Sequence, residues 1–238
     1  MVKEKSVRQF DRDVRDNQGY LYANTKKLSS RFANECLQDS IRKLIDLKGK
    51  TVVDLGCGDG TFTMEFLRDK PASILGLEAS SSAVGLANRR AGRNKIVKFK
   101  ALDIYKAGTL KRKYDVALLR GVLHHLYDPA KAISVISKIA RTVIVVEPNG
   151  FNPVLKALEK FSKYHIAHEE NSFLPGNLNH WFEENGGTVV QSEFRGLVPF
   201  FCPDWMARVL KFLEPLVEKI PILRNLVCAV YVFKVSVK

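Results

Sequence analysis

Apolar residues recur along this chain in two rhythms. Unbroken β-branched runs, Thr51-Val52-Val53 extended by Leu55, Val116 to Leu119, and Thr142 to Val146, read as strands buried on both faces. Between them the spacing turns helical, as in Phe62, Phe66, Leu67 and in Leu37, Ile41, Leu44, Ile45. Ser73 to Glu78 is another short apolar strand, while Val97-Lys-Phe-Lys-Ala101 alternates and reads as a strand near a sheet edge with one exposed face. Ser80, Ser81 and Ser82 offer N-caps for a helix to about Arg90, with Gly92 as its stop. Five strands alternating with helices predict a doubly wound parallel sheet. Helices are then expected from Pro153 to about His165 and from Asn177 to Asn185, and two alternating segments, Thr188 to Phe194 and Cys228 to Val237, supply two more strands.

The decapeptide Thr51-Val-Val-Asp-Leu-Gly-Cys-Gly-Asp-Gly60 joins the first strand to a helix through alternate glycines. Gly56, Gly58 and Gly60 make a turn without side chains, against which a ligand can lie. A strand, a glycine turn and a helix N-terminus form a nucleotide-type crevice. Thr61 stands where the dinucleotide fingerprint has its third glycine, which disfavours a dehydrogenase. Glu78 ends the next strand about twenty residues on, where a carboxylate can accept both hydrogen bonds of a ribose diol.

From about Lys50 to Asn149 the series resembles the class I S-adenosylmethionine-dependent methyltransferases of the small-molecule type. The matching segments are the glycine turn opened by Asp54, the strand ending at Glu78, Val97 to Ile104, and Tyr114 to Leu126 with its Val-Leu-His-His-Leu continuation. The resemblance implies a Rossmann-like seven-stranded α/β sheet, mostly parallel with an antiparallel last strand and helices on both faces. It also implies S-adenosyl-L-methionine held by Asp54, Gly56, Cys57, Gly58, Gly60, Glu78, Ala79, Asp103, Ile104 and Arg120. In that scheme Asp103 accepts from the adenine amino group and the Ile104 backbone meets a ring nitrogen. Arg120 departs from the family, which usually carries a small or neutral polar residue there. It reads either as an anion-binding point or as a side chain whose stem packs while its head reaches solvent.

His124, His125 and His168 are the candidate catalytic residues, as general bases titrating near working pH. Neighbours on a helix point in different directions, so one of His124 and His125 is expected to be structural. His165 and His168 adjoin Glu169 and Glu170, but no third histidine stands near them in sequence, and no metal is expected.

The chain has 238 residues, with Lys+Arg 38 against Asp+Glu 25 and a net charge of +13. This length fits one domain, read as an N-terminal helical lid over 1–48, a cofactor-binding core over 49–150 and substrate-side elements over 151–238. The four cysteines show no paired metal spacing and the charged N-terminus no signal-peptide core, so a cytoplasmic setting is expected. Basic residues concentrate between Arg89 and Lys113, a patch suited to an anionic surface first and RNA second. The 199–226 connection is too apolar for a solvated loop and is interrupted by Pro215 and Pro221. It reads as a helical insertion that packs on the sheet, roofs a greasy acceptor, meets a membrane or joins a second copy.

These readings converge on an S-adenosylmethionine-dependent methyltransferase for a small-molecule or lipid-like acceptor, with possible peripheral contact with an anionic membrane. The alternatives are an RNA methyltransferase and a non-catalytic protein on the same fold.

Overall fold

The β-branched runs form the middle of one seven-stranded sheet in the order β3-β2-β1-β4-β5-β7-β6. The computed structural model describes residues 11–12, 14, 19–20, 22, 26–162, 165–166 and 169–238. The strands are β1 (Thr51–Leu55), β2 (Ser73–Glu78), β3 (Val97–Ala101), β4 (Tyr114–Arg120), β5 (Ala140–Pro148), β6 (Gly187–Arg195) and β7 (Val230–Val237). The first five pair in parallel, and β7 inserts antiparallel between β5 and β6. The alternating strand β3 lies at one edge, as its lysines require.

The helices are α1 (Leu28–Leu44), α2 (Thr61–Glu65), α3 (Ser81–Ala91), α4 (Pro129–Ile139), α5 (Pro153–Phe161), α6 (Pro175–Glu184), α7 (Asp204–Lys219) and α8 (Pro221–Val227). Leu37, Ile41 and Leu44 of α1 pack with Val84 and Ala87 of α3 against Val52, Val116 and Ile144 on one sheet face. Ile133 and Ile136 of α4 with Leu178 and Phe182 of α6 cover Val53, Ala117 and Val145 on the other. Each central strand thus buries both faces, which its unbroken apolar run makes possible. Ser80 caps α3 by accepting from Ala83 N at 3.1 Å.

Two expectations need correction. The 199–226 segment is helical, but α7 runs through Pro215 and breaks only at Ile220. The prolyl nitrogen costs one intrahelical bond on an exposed turn, and the helix accommodates it. Gly60 serves packing: its φ is 77°, and an added Cβ would stand 2.8 Å from Phe99 Cζ and 2.9 Å from Ala87 Cβ.

The chain passes from β1 outward to β3, then crosses back to β4 beside β1. That reversal opens a crevice at the carboxyl ends of β1 and β4. Gly60→Ala should lower the unfolding free energy by about 2–5 kcal/mol, combining left-handed strain with overpacking. Urea unfolding measures it, and a change below about 0.5 kcal/mol would contradict this packing role.

Candidate active site

A cavity of about 840 Å³ begins at the switch point and runs from the glycine turn to the apolar helices beyond β5. Asp54, Gly56, Cys57, Gly58, Glu78, Ala79, Ile104, Arg120, His124 and His125 all line it. Gly60 and Asp103 are not in its lining. Asp103 instead accepts from Tyr105 N at 3.0 Å, capping the 3₁₀ turn Ile104–Thr109, while Leu102 and Ile104 form the wall.

At the glycine end, Gly56 and Gly58 have φ of 72° and 56°. A Cβ on Gly56 would stand 2.5 Å from Val122 Cγ2, and one on Gly58 2.8 Å from Tyr20 Cε2. The turn is therefore closed to side chains from both directions. Glu78 accepts from Gly58 N at 3.1 Å and from Ser80 N at 2.9 Å, so it braces the turn. Burial pushes its carboxyl above the usual range, against the pull of those backbone donors. A carboxylate has about four acceptor positions, which leaves capacity toward the cavity.

Asp54 is buried and accepts from Thr63 Oγ1 at 2.5 Å. Burial pushes it up to about 6, opposed by Thr63 and Arg120. Arg120 is half-buried, with its head turned toward Phe62 and Asn34. Its guanidinium carbon lies 3.5 Å from the Phe62 ring centroid, and Nη2 donates to Asn34 Oδ1 at 2.5 Å. Nη1 is buried and has no hydrogen-bond partner among the described residues. Burial pulls the guanidinium down to about 10. The carboxylates of Glu65 and then Asp54 oppose that shift. Asn34 in turn donates to Tyr22 O at 2.8 Å, tying α1 to the segment before it.

At the far side the chain after β4 makes a 3₁₀ turn, Leu123–His125. This overturns the divergence of the two histidines: their rings lie 3.9 Å apart. Glu147, buried at the end of β5, organises the turn. It accepts from Val122 N and Leu123 N at 2.8 Å, from His124 N at 3.2 Å and from His124 Nδ1 at 2.7 Å. The ring proton is thereby fixed on Nδ1, and Nε2 is the nitrogen left for chemistry. His165 Nε2 lies 3.4 Å from Glu170 Oε2, and both residues line the same cavity. His168 lies outside the described residues. The sequence reading missed Glu147, Asn34 and Phe62. Only Glu147 carried a readable sign, an acid closing a buried strand as Glu78 does.

Burial opposes a charge on His124, but Glu147, then Glu170 and Glu159, outweigh it and raise its pKa. A raised folded value means that this stabilisation is complete below the unfolded value, about 6.5, and is lost as pH rises through the folded value. Nuclear magnetic resonance should find His124 titrating above free imidazole, with Glu147→Gln bringing it down. Titration at or below the free value in the unaltered protein would contradict the pairing.

Residues 46–194 match the family described as "Methyltransferase domain". A tRNA U34 carboxymethyltransferase of Campylobacter fetus subsp. fetus (strain 82-40) is 26% identical over 141 residues, covering 55% of this chain and 49% of that protein. The chain thus spans about half the length of that relative. A ubiquinone biosynthesis O-methyltransferase of Coxiella burnetii is 30% identical over 163 residues, 61% of this chain and 67% of its own. Among solved structures, magnesium protoporphyrin IX methyltransferase from Synechocystis PCC 6803 with bound SAH aligns with a TM-score of 0.63 at 15% identity, covering 89% of this chain and 88% of that one. Geranyl diphosphate C-methyltransferase from Streptomyces coelicolor A3(2) aligns at 0.64 with 17% identity, covering 85% and 78%. With the matched family spanning most of the chain and this fold beneath it, the chain belongs to the class I S-adenosylmethionine-dependent methyltransferases.

Proposed function

We propose that this chain transfers a methyl group from S-adenosylmethionine to an amphiphilic, lipid-like acceptor drawn from an anionic membrane surface. The observation that carries the proposal is one continuous cavity, from the glycine turn to a set of helices whose apolar sides face outward.

Glu78 would take the ribose diol, Leu102 and Ile104 would flank the adenine, and Gly56 and Gly58 would lie under the methionine half. The free Nη1 of Arg120 is suited to the methionine carboxylate. When bound, S-adenosylmethionine supplies an already activated methyl group. The residues then have mainly to exclude water and hold the acceptor atom in line. His124 and His125, at the middle of the cavity, would face that atom.

The apolar helices favour a greasy acceptor. The inward side of α7 packs Ala207, Met206 and Leu210 against Val198 and Cys202 and buries Glu214, which accepts from Leu197 N at 3.0 Å and Lys211 Nζ at 2.6 Å. Its outward stripe is Trp205, Val209, Phe212 and Leu216, with Trp205 69% and Phe212 78% exposed. In α5, Val154, Leu158 and Phe161 repeat the pattern, with Phe161 82% exposed. Val154 and Leu158, with Leu226 of α8, also line the cavity. An exposed apolar stripe of this extent is unfavourable in water unless something covers it. Among the described residues no helix is long and apolar enough to cross a membrane. The fitting posture is therefore in the interface plane, with Lys160, Arg208 and Lys219 toward the headgroups. The relative named for ubiquinone biosynthesis is in keeping with such an acceptor.

The RNA reading has a separate footing. Arg89, Arg93, Lys95, Lys98, Lys100 and Lys106 are exposed along the β3 end of the sheet, and one relative is named for tRNA. β3 and β6 are opposite edges of the sheet, and α8 packs by β6. The basic patch therefore stands apart from the apolar face.

Two outcomes are expected. Calorimetry should find S-adenosylhomocysteine bound, with Glu78→Ala and Arg120→Met each costing about 1.5–3 kcal/mol. The Arg120 variant should spare an analogue that lacks only the carboxylate. Absence of binding, or equal affinity in both variants, would refute the cofactor assignment. Vesicles rich in anionic lipid should co-sediment the protein, less so in high salt and least when Trp205 and Phe212 become serine. Equal sedimentation of that double variant would remove the membrane from the proposal.

A further inference from the structure

The fold brings together ligand-type side chains that lie far apart in sequence. One nitrogen of His124, one of His125 and one carboxylate oxygen of Glu170 lie within 4.8 Å of one another. We propose that these three residues hold a divalent transition-metal ion, at whose open position an oxygen of the acceptor is bound.

Four observations favour an ion here. The donor set, two imidazoles and one carboxylate, suits zinc-type ions best, with manganese a usable spectroscopic probe, whereas magnesium and calcium prefer oxygen alone. Three protein ligands with the remaining side open to a cavity is the arrangement of a metal site that receives a further ligand. His124 already has the support that ligating histidines require, since its Nδ1 lies 2.7 Å from the buried carboxylate of Glu147. That bond sets the ring and leaves Nε2 for the ion. The rings of His124 and His125 lie 3.9 Å apart on a tight turn, tilted by 44°, and a nitrogen of each lies within 4.8 Å of the Glu170 carboxylate. Ligand atoms around a single ion with bonds of about 2.1 Å lie about 3–4 Å apart, so small side-chain rotations complete the site.

The second group of this kind, Cys36 with Glu214 and Glu218, is different. Its carboxylates are engaged by Lys211, Arg195 and backbone N–H groups, and burial pushes the Cys36 thiol up to about 11. Those residues tie α7 to the sheet and have no vacancy for a cation.

The acceptor-binding role rests on the methyltransferase reading; the ion site does not. The full chain, stripped with chelator and dialysed against Zn²⁺ or Mn²⁺ at pH 8, should retain close to one ion by elemental analysis. His125→Ala and Glu170→Gln should each weaken affinity by at least the roughly 10–100-fold that losing a ligand's supporting partner costs, read by calorimetry. Bound Mn²⁺ should show electron-spin-echo modulation from imidazole nitrogen that is reduced in His125→Ala. Thermal melts on both variants check that they are folded. An unaltered protein that retains no ion overturns the proposal. So does an affinity unchanged in both folded variants, or an ion lost only in Cys36→Ser. Binding of S-adenosylhomocysteine to the same samples is read separately, so failure of the cofactor assignment and failure of the ion site are distinguishable.

Discussion

A carboxylate taken out of water must be surrounded by donors, and the site is arranged around one that is. Glu147 is 1% exposed and takes three backbone N–H groups and the His124 ring. Charge-assisted bonds of this kind contribute about 1.5–3 kcal/mol each, and an unpaired buried charge would cost several. The chain after β4 therefore has little freedom: it must turn at once so that Val122, Leu123 and His124 present their amides to β5. That turn brings the two histidine rings within 3.9 Å of each other and sets Val122 against Gly56, with Arg120 at the strand end just before it. The glycine-turn wall and the histidine wall of the cavity are thus positioned by the same buried anion.

Beside the apolar contacts of Ala207, Met206 and Leu210, α7 also turns charge inward and leaves an apolar stripe exposed. Glu214 and Glu218 point toward the sheet, where they satisfy Leu197 N, Gly196 N, Lys211 and Arg195. The apolar stripe is consequently left facing out, and it continues through α8 and α5 to the lining of the cavity. A surface that is unfavourable in water becomes favourable when an acceptor of the same character must leave a bilayer and reach a methyl donor.

Much of this was legible in the sequence where local chemistry decides structure. Unbroken β-branched runs gave the central strands, alternation gave the β3 edge, and Ser80 gave a cap that is made as expected. The alternate glycines located the crevice, though Gly60 turned out to serve Phe99 and Ala87. What escaped depended on pairing across long sequence distances. Nothing near His124 announces Glu147, 23 residues away, and nothing near Arg120 announces Asn34, 86 residues away. The periodicity of α7 revealed an amphipathic helix but not which side faces the sheet, because that choice is made by Leu197 and Arg195 on another element. His125 and Glu170 meet only through the fold.

The central claim is methyl transfer to an amphiphile within one cavity. It is tested most directly by supplying radiolabelled S-adenosylmethionine with anionic vesicles made from a total lipid extract, and total RNA in parallel. Label should enter a product that partitions into organic solvent, and the RNA should stay unlabelled. Label carried into RNA, with none in the organic phase, would contradict the account.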